Sequence, residues 1–227
     1  MSCIHAGGVR HQAAGMKRTA GHTPRLPVIG ELRDTDHLNT GSCDMRAEGI
    51  HLENERVTDP GDLQCEECEF DHVTFEGSGR GSRFTDVIFR NCEFPAAVFD
   101  ESYFCRCLFE NCRLSGTSLV RASFRDVTIR ESVMDYANFS GSSLNSVRME
   151  NCRLTEAAIS MCTLKQTVFR ECDLSRCELA DTKLAGIDLS DSDISGIMVK
   201  PSDLKDVTVN RDQAVVFAAL LGIHVTD

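Results

Sequence analysis

Residues 84–109 read FTDVIFRNCEFPAAVFDESYFCRCLF, and this stretch decides the fold. Every fifth residue in it, from Phe84 to Phe109, is a phenylalanine. Toward the C-terminus, a large apolar residue keeps this spacing as far as Ile194, which makes 23 consecutive large positions. In a chain that is 41% hydrophobic, chance gives such a series with a probability on the order of 10⁻⁹. A period of five fits neither a helix nor a strand, so the backbone must turn once per repeat.

A second series, which we call the small positions, lies two residues before each large position. It runs from Ser82 to Ile197, and nearly every member is small or β-branched. Each repeat therefore points two side chains inward. Eight of the 12 cysteines stand in small positions, if Cys68 of an earlier register is included, whereas Cys105 is predicted to point outward. We interpret the eight as reduced thiols that fill tight places in the core.

Stretches such as CEFPA, CLFEN, ASFRD, CDLSR and TKLAG resemble the pentapeptide repeat family, whose pattern is small-x-[Leu/Phe]-x-x. The match covers roughly residues 65–209. The resemblance implies an all-β fold: a right-handed quadrilateral β-helix solenoid with four pentapeptides, or twenty residues, in each coil. A short C-terminal α-helix is expected to follow this solenoid.

Outward positions that are twenty residues apart should stack on neighbouring coils, and we call each such series a column. One column alternates in charge along its length: Arg90, Glu110, Arg130, Glu150 and Arg170. Opposite charges on neighbouring strands stabilise a sheet, whereas like charges repel. The alternation therefore supports a twenty-residue coil independently of the five-residue period.

The sequence divides into four regions. Residues 1–30 are predicted to be a disordered basic leader, 31–64 an acidic N-terminal cap, 65–209 the repeats, and 210–227 a capping or dimerisation helix. The leader lacks the apolar run of a signal peptide, and no stretch approaches the 18 apolar residues of a membrane span. We therefore expect a cytoplasmic protein without membrane contact. The formal net charge of −11 argues against direct binding to nucleic acid.

The C-terminal region has a clear helix signature. Asn210 and Gln213 form a predicted capping box, and Gly222 is placed to end the helix. The run QAVVFAALL between them carries no charge, so it cannot face water all round. It should cover the open end of the solenoid, a partner subunit, or both. Its apolar surface would consist of Ala214, Val215, Phe217, Ala218, Leu220 and Leu221.

Catalytic and metal chemistry finds little support in the sequence. Cys65 and Cys68 form a Cys-x-x-Cys pair, but no second pair follows, so core filling is favoured over a metal or redox role. All seven histidines lie outside residues 84–209, so a Cys–His or Ser–His pair cannot arise there. The carboxylates are predicted to be outward and solvated. We therefore expect no enzyme activity, no metal and no cofactor.

The surface remains as the candidate for function. Seven acidic residues near the C-terminal end are the predicted partner-binding surface: Glu171, Asp173, Glu178, Asp181, Asp188, Asp191 and Asp193. The five-residue phase slips by one residue at the only candidate protruding loop, which consists of Gly77, Ser78, Gly79, Arg80 and Gly81.

The resemblance is strongest to the Qnr-type and gyrase-protecting members of the family. These are dimeric acidic rods that imitate duplex DNA, and the resemblance implies DNA gyrase or topoisomerase IV as partner and a homodimer through the C-terminal region. The long loops of the best-known Qnr proteins have no obvious counterpart in this sequence. A scaffold that binds an unrelated protein is therefore the alternative.

Overall fold

The protein is a stack of short parallel strands that ends in one helix. The computed structural model describes residues 23–35, 38 and 45–226. The elements, in chain order, are β1 (Arg33–Asp34), β2 (Met45–Glu48), β3 (Ile50–Glu53), β4 (Arg56–Thr58), β5 (Leu63–Asp71), β6 (Thr74–Glu76), β7 (Arg83–Arg90), β8 (Tyr103–Glu110), β9 (Ser123–Arg130), β10 (Ser143–Glu150), β11 (Thr163–Lys165), β12 (Val168–Arg170), a 3₁₀ turn (Pro201–Asp203) and α1 (Arg211–Leu220).

Each coil lies on the previous one through parallel pairing. The main sheet has ten strands in the order β1-β3-β5-β7-β8-β9-β10-β11, with β2 on β5 and β12 on β10, and β4 pairs with β6 in a second sheet. The other sides of the solenoid are joined by isolated parallel bridges, such as Glu93–Arg113 and Val98–Ser118. From β7 onward the paired residues are twenty apart, as Phe84, Phe104 and Phe124 illustrate. The predicted parallel solenoid and its twenty-residue coil are confirmed.

The coils shorten toward the N-terminus. Cys65 pairs with Phe84, which is 19 residues later, and Ala47 pairs with Cys65 after 18. Regular pairing therefore starts within residues 31–64, which the sequence assigns to an irregular cap. The five-residue period is hidden there because each shortened coil shifts the phase. The solenoid thus begins at least as early as Met45, before the predicted start at residue 65.

The core consists of the large positions stacked along the solenoid axis. From Phe84 to Ile194 all of them are buried, except that Leu164 is only half-buried. Phenylalanine rings on successive coils stack nearly parallel: the ring centroids are 5.1 Å apart between Phe84 and Phe104 and 4.9 Å between Phe104 and Phe124. This offset stacking is a favourable aromatic geometry, and it repeats at the spacing of the coils.

The small positions form a hydrogen-bonded lining between the stacked large side chains. Every one of them from Ser82 to Ile197 is buried. Most of their hydroxyls and thiols donate to carbonyl groups 23 residues earlier, as Thr117 does to Phe94 at 2.9 Å and Cys177 does to Leu154 at 2.8 Å. Serine, threonine and cysteine therefore satisfy carbonyl groups inside the coil that apolar side chains would leave without this donor.

The turn of each repeat depends on a residue in the left-handed region. Positive φ values recur at intervals of five, two residues after a large position, for example at Asn91, Arg121 and Met161, with φ values of 53°, 55° and 56°. Most of these residues are not glycine. A single left-handed residue per repeat turns the chain from one side of the solenoid to the next.

Residues 23–30, which we call the N-terminal segment, lie along one side of the solenoid. The backbone N–H of Val28 donates to Asp86 Oδ1 at 3.1 Å, and that of Arg25 donates to Asp126 Oδ1 at 3.4 Å. Arg106 also holds Asp86, with an Nε–Oδ1 distance of 2.7 Å. Burial opposes ionisation of Asp86, but these hydrogen bonds keep the pKa of its carboxyl below the ordinary value. Residues 1–22 of the predicted leader lie outside the described residues.

Some outward predictions are wrong: the carboxylate of Asp86 is buried rather than solvated, and so is the thiol of Cys105. Cys105 stands in an outward column between Thr85 and Arg125, yet its exposed fraction is only 5%. The side chain of Arg106 approaches its sulfur, with Nη1 at 3.5 Å. Cys105 and Arg25 of the N-terminal segment both line a groove on this side of the solenoid. Cys105 is therefore covered from outside the coil, which the five-residue pattern cannot indicate.

Candidate partner-binding surfaces

Four of the seven predicted acidic residues form a cluster near the C-terminal end of the solenoid. Asp173 and Asp193 face each other across neighbouring coils. Beside them, Asp191 Oδ1 accepts a hydrogen bond from the backbone N–H of Glu171 at 3.3 Å. The cluster thus places like charges on successive coils, and we call these four residues the C-terminal acidic cluster.

The other three predicted acidic residues lie on different sides of the solenoid. Glu178 pairs with Met198 in one bridge, and Asp188 pairs with Thr208 in another. Asp181 forms an ion pair with Lys200, whose Nζ lies 2.5 Å from Asp181 Oδ1. The structure therefore does not bring all seven residues to one surface.

Three of the seven also have a local structural role. In the sequences DLS, DLS and DIS, the side chains of Asp173, Asp188 and Asp193 accept hydrogen bonds from the backbone N–H two residues later, at 2.9, 3.0 and 2.8 Å. Such Asx turns hold the corner of a repeat. Burial opposes ionisation of Asp173, but hydrogen bonds from Ser175 and Thr155 keep the pKa of its carboxyl below the ordinary value.

A second acidic surface lies in the N-terminal coils and was not singled out by residue from the sequence. Glu48 pairs in register with Glu66, and Glu53 pairs with Asp71. The whole segment 45–76 has ten acidic residues against Arg46 and Arg56. We call the four paired residues the N-terminal acidic cluster. The sequence showed a net charge of −11 over residues 31–76, but the columns appear only when the 18-residue coil is known.

The middle coils, in contrast, pair acidic residues with arginine. Glu101 Oε1 lies 2.6 Å from Arg121 and 2.9 Å from Arg80. In the column predicted to alternate, Arg90 Nε lies 3.3 Å from Glu110 Oε2, and Arg130 also contacts Glu110. Further along the column, Glu150 forms an ion pair with Arg148 of its own strand, with Oε1 2.9 Å from Arg148 Nη1. Unlike the middle, the two acidic clusters therefore carry stacked carboxylates.

The segment Gly77–Gly81 does not form a protruding loop. Ser78 pairs with Val98 in a bridge, and the backbone N–H groups of Gly79 and Gly81 donate to Val98 and Asp100 at 2.8 and 2.9 Å. Gly79 itself is buried in a large position, where the ring of Phe99 fills its space. The predicted phase slip is the loss of one residue from a coil. Ser78 and Arg80 are exposed, and Arg80 stands in a turn.

Helix α1 closes the C-terminal end of the solenoid. The capping box is present: the N–H of Gln213 donates to Asn210 Oδ1, and that of Asn210 donates to Gln213 Oε1, both at 2.9 Å. The Gln213 amide also donates to the carbonyl groups of Leu189 and Ser192 at 2.8 and 2.7 Å. Gly222, with φ at 73°, ends the helix. The predicted helix and its capping box are confirmed, although the helix begins at Arg211, two residues before the start of the predicted run at Gln213.

The helix has one covered side and one open side. Phe217 is 6% exposed and packs against the core. Ala214 is exposed and Ala218 is half-buried. The large apolar side chains on the open side and in the tail remain exposed: Val215, Val216, Leu220, Leu221, Ile223 and Val225. Of the predicted apolar surface, Phe217 alone is fully buried, so a wide apolar area remains at this end.

The Cys-x-x-Cys pair occupies the core positions that the sequence favours. Cys65 stands in register with Phe84 in a large position, and Cys68 with Val87 in a small position. Burial raises the pKa of the Cys65 thiol. Cys68 donates to the carbonyl of Ala47 at 3.4 Å, as other small positions do. The pair therefore contributes to the lining of the coil.

One group of potential metal ligands lies on the N-terminal coils. In the part of the chain that the structure describes, Glu53, Asp71 and His72 are the one set of three such side chains close enough to share an ion. Glu53 and His72 are exposed. His72 Nδ1 lies 2.8 Å from Asp71 Oδ1, which also accepts from Asn91 Nδ2 at 2.8 Å. These contacts give Asp71 partners within the protein.

A parallel solenoid with an inward pair of side chains in every five residues defines a class of repeat protein. The family model described as "Pentapeptide repeat region" matches residues 82–159 and 142–215, which is more than half of the chain. The protein belongs to the pentapeptide repeat family. None of the curated proteins matches the sequence.

Solved structures of other pentapeptide repeat proteins are similar to this chain. A trypsin-treated variant of QnrB1, a plasmid-mediated fluoroquinolone resistance protein, is 20% identical over 89% of this chain and 98% of its own, with a TM-score of 0.46. A thylakoid-lumen protein of Arabidopsis thaliana is 24% identical over 48% of this chain and 73% of its own, with a TM-score of 0.38. HetL of the cyanobacterium Nostoc, involved in heterocyst differentiation regulation, is 12% identical over 75% and 90%, with a TM-score of 0.26.

Membrane crossing by a helix finds no support within the described ranges. Helix α1 is too short and not apolar enough to cross a bilayer.

Proposed function

We propose that this protein is a non-enzymatic binding protein whose acidic clusters imitate the phosphates of DNA and engage DNA gyrase or topoisomerase IV. The observation that carries the proposal is the contrast between the ends and the middle of the solenoid. Like charges directly opposite each other on neighbouring strands destabilise a sheet, whereas opposite charges stabilise it by roughly 0.2–1 kcal/mol per pair. The N-terminal and C-terminal acidic clusters place like charges on neighbouring coils, whereas the middle coils pair acidic residues with arginine.

A protein surface that binds DNA is basic, because it neutralises phosphates with lysine and arginine. A rod with stacked carboxylates at a spacing of about 4.8 Å offers such a surface regularly placed negative charge. The overall charge of −11 would also speed the encounter with a basic partner. The resemblance of the repeats to the Qnr-type members suggests gyrase or topoisomerase IV as this partner.

The test is a supercoiling assay of gyrase, with and without ciprofloxacin. Under the proposal, micromolar protein inhibits supercoiling or protects the enzyme from the drug, and removal of charge from either acidic cluster weakens the effect at least tenfold. Asp173→Asn and Asp193→Asn suit the C-terminal cluster, because asparagine keeps the acceptor for the Asx turn. Charge reversal at Asp188, Asp191 and Asp193 should abolish the effect, but at Asp188 and Asp193 it also removes a turn contact.

The matched control is Glu101→Gln, because this carboxylate belongs to an arginine pair in the middle coils. It should leave gyrase binding unchanged. Absence of both inhibition and protection by the wild-type protein would reject the gyrase proposal.

A scaffold that binds an unrelated protein is the second candidate. The observation that favours it is the segment Gly77–Gly81, which follows the coil and offers no projecting loop for gyrase. In that case the exposed apolar end of the solenoid would be the contact surface. Variants of Leu220 and Leu221 would then abolish partner binding, whereas variants of the acidic clusters would not.

A further inference from the structure

A basic groove lies on the side of the solenoid where the N-terminal segment runs. Its volume is ≈ 410 Å³, within the range of small-molecule sites. Arg25 of the N-terminal segment forms part of its wall, and the column Arg125, Asn145 and Lys165 forms another part. The groove is unexpected in a chain of net charge −11.

The cations of the groove differ in how they are balanced. Arg106 is held by Asp86, with both nitrogen–oxygen contacts at 2.7 Å or less. Within the described part of the chain, Arg25, Arg125 and Lys165 have no carboxylate within ion-pair distance. All three are exposed. Asp126 is the one acidic residue in the lining, and it accepts the backbone N–H of Arg25. Positive charge is therefore in excess in the groove.

The remaining lining offers hydrogen-bond donors rather than apolar contact. Asn145 and Gln166 each carry an amide that can donate to an anion. Ser146 lies beside Gln166, with its Oγ 3.2 Å from Gln166 Oε1, and this contact leaves the Gln166 amide nitrogen available for a ligand. Apart from Cys105, every lining side chain is polar or charged. Such a lining gives little support to the apolar side chains of a peptide and favours a small, highly charged ligand.

The spacing of the cations indicates more than one anionic group. Arg125 and Lys165 stand on either side of Asn145 in adjacent parallel strands. Strands are about 4.8 Å apart, so these two residues are about 9.6 Å apart along the solenoid axis. A chain of two or three phosphates can contact both cations at once, whereas a single phosphate would contact one of them well.

We propose that this groove binds a small polyphosphate, either inorganic or the phosphate chain of a nucleotide. Arg125 and Lys165 contact the two ends of the phosphate chain, and Asn145 donates between them. Arg25 closes the groove from the N-terminal segment, so that the ligand joins this segment to the solenoid. The site is independent of the acidic clusters and of the gyrase proposal.

The experiment is calorimetric titration of the full chain with tripolyphosphate, orthophosphate and ATP at physiological salt. We expect saturable binding of tripolyphosphate and ATP, and at least tenfold weaker binding of orthophosphate. Lys165→Gln and Arg125→Gln should each weaken tripolyphosphate binding about tenfold or more, because a charge-assisted contact is lost. The comparison of tripolyphosphate with ATP shows whether the nucleoside contributes.

The matched control is Lys183→Gln, which removes another exposed lysine that does not line the groove. It should leave the affinity unchanged. In amide NMR spectra, tripolyphosphate should shift the side-chain amide signals of Asn145 and Gln166. The proposal is overturned if binding of tripolyphosphate does not saturate at millimolar concentration, or if the control variant weakens binding as much as Lys165→Gln. It is also overturned if the protein binds an aspartate-rich peptide but not tripolyphosphate.

Discussion

At the scale of the residue, the position two places after each large apolar side chain decides whether the chain can turn. Arginine, glutamate, tyrosine and methionine adopt positive φ there, for example Arg121, Tyr136 and Met161 at 55°, 60° and 56°. For an L-residue this conformation costs roughly 1–2 kcal/mol. Unbranched side chains tolerate it better than β-branched ones, for which it is a genuine outlier. The pentapeptide pattern leaves this position free, so sequence comparison alone would miss its constraint.

Two exposed methionines test this constraint. Met161 is left-handed, whereas Met198 lies in a parallel bridge with Glu178 and is not among the residues with positive φ. We expect Met161→Val to lower the free energy of unfolding by about 1 kcal/mol or more, because valine is β-branched and methionine is not, and Met198→Val to change it by less than about 0.5 kcal/mol. Urea denaturation of the two variants measures the difference. Equal effects would show that backbone conformation is not the cause.

The buried thiols are expected to lower the stability of the folded protein at alkaline pH. Burial raises the pKa of Cys162 from about 9 to about 11, and the thiol donates to the carbonyl of Phe139 at 3.0 Å. Above pH 9 the thiol of the unfolded chain ionises while that of the folded chain stays protonated. Its contribution to stability is complete below pH 9 and is lost as pH rises toward 11.

We therefore expect Cys162→Ser to flatten this part of the pH profile. Serine keeps a donor for the Phe139 carbonyl and does not titrate, as Ser142 in the preceding coil shows by donating to Leu119. The wild-type free energy of unfolding should fall by up to about 1.4 kcal/mol per pH unit more steeply than that of the variant. Denaturation at pH 8, 9.5 and 10.5 measures it. Parallel profiles would contradict the assignment.

At the scale of the element, the 19-residue coil that separates Cys65 from Phe84 has an unusual core position. Gly79 takes a large position, and a Cβ added there would lie 2.4 Å from Phe99 Cε1. The equivalent place of Phe99 one coil later is taken by Leu119, since Val98 pairs with Ser118. The glycine and the phenylalanine therefore fill one volume together.

This shared volume predicts a coupling between two substitutions. Gly79→Ala should lower the free energy of unfolding by about 1–3 kcal/mol, because overpacking strains the core. With Phe99→Leu in the same chain, the loss should be smaller than the sum of the two single effects. A double-mutant cycle by thermal denaturation measures the coupling, which should be about 0.5–3 kcal/mol. Additive effects would indicate that the two positions do not share space.

The sequence predicts an element well where the five-residue spacing is unbroken and poorly where shortened coils interrupt it. From Phe84 to Ile194 the large positions are predicted by number, because a deviation of one residue would reverse inside and outside. Asn210 and Gly222 mark the helix because caps are local. The N-terminal coils are hidden by their 18-residue length, as the pairing of Ala47 with Cys65 shows. The burial of Cys105 involves the side chain of Arg106, whose Nη1 lies 3.5 Å from its sulfur, and the five-residue pattern does not describe this contact.

Prediction of the candidate sites was correspondingly partial. The acidic character of both ends follows from counting, but the pairing of Glu48 with Glu66 needs the coil register. The turn contacts of Asp173 and Asp193 were also missed, although the repeated Asp-x-Ser sequence is a signal that could have revealed them.

At the scale of the whole molecule, the two ends differ in chemistry. The N-terminal coils present stacked carboxylates, whereas the C-terminal end presents apolar side chains around a helix that already closes the core. Leu220 and Leu221 have exposed fractions of 43% and 55%. We propose that this apolar area binds the same end of a second copy of the chain, which would bring two C-terminal acidic clusters near one another.

Our dimer proposal predicts the effect of charge at this end. Leu220→Glu combined with Leu221→Glu should halve the mass measured by light scattering after size exclusion, because carboxylates would be buried without partners in the interface. The melting temperature of the single chain should change little, since both side chains are exposed. Arg211→Ala, in the first turn of the helix, is the control and should keep the wild-type mass. A monomeric wild-type protein would exclude the dimer.

The regular stacking of coils also determines how the chain can fold. Because neighbouring coils pair residues about 20 apart in a chain of 227, the relative contact order is about 0.09, a value more typical of helical bundles than of β-sandwiches. Each of the strands β1–β12 pairs with strands of neighbouring coils, so among them no distant strands have to meet, and each coil can form on the edge of the one before it. Unfolding should likewise proceed by fraying from an end, and a force applied to the two termini should peel coils away one after another.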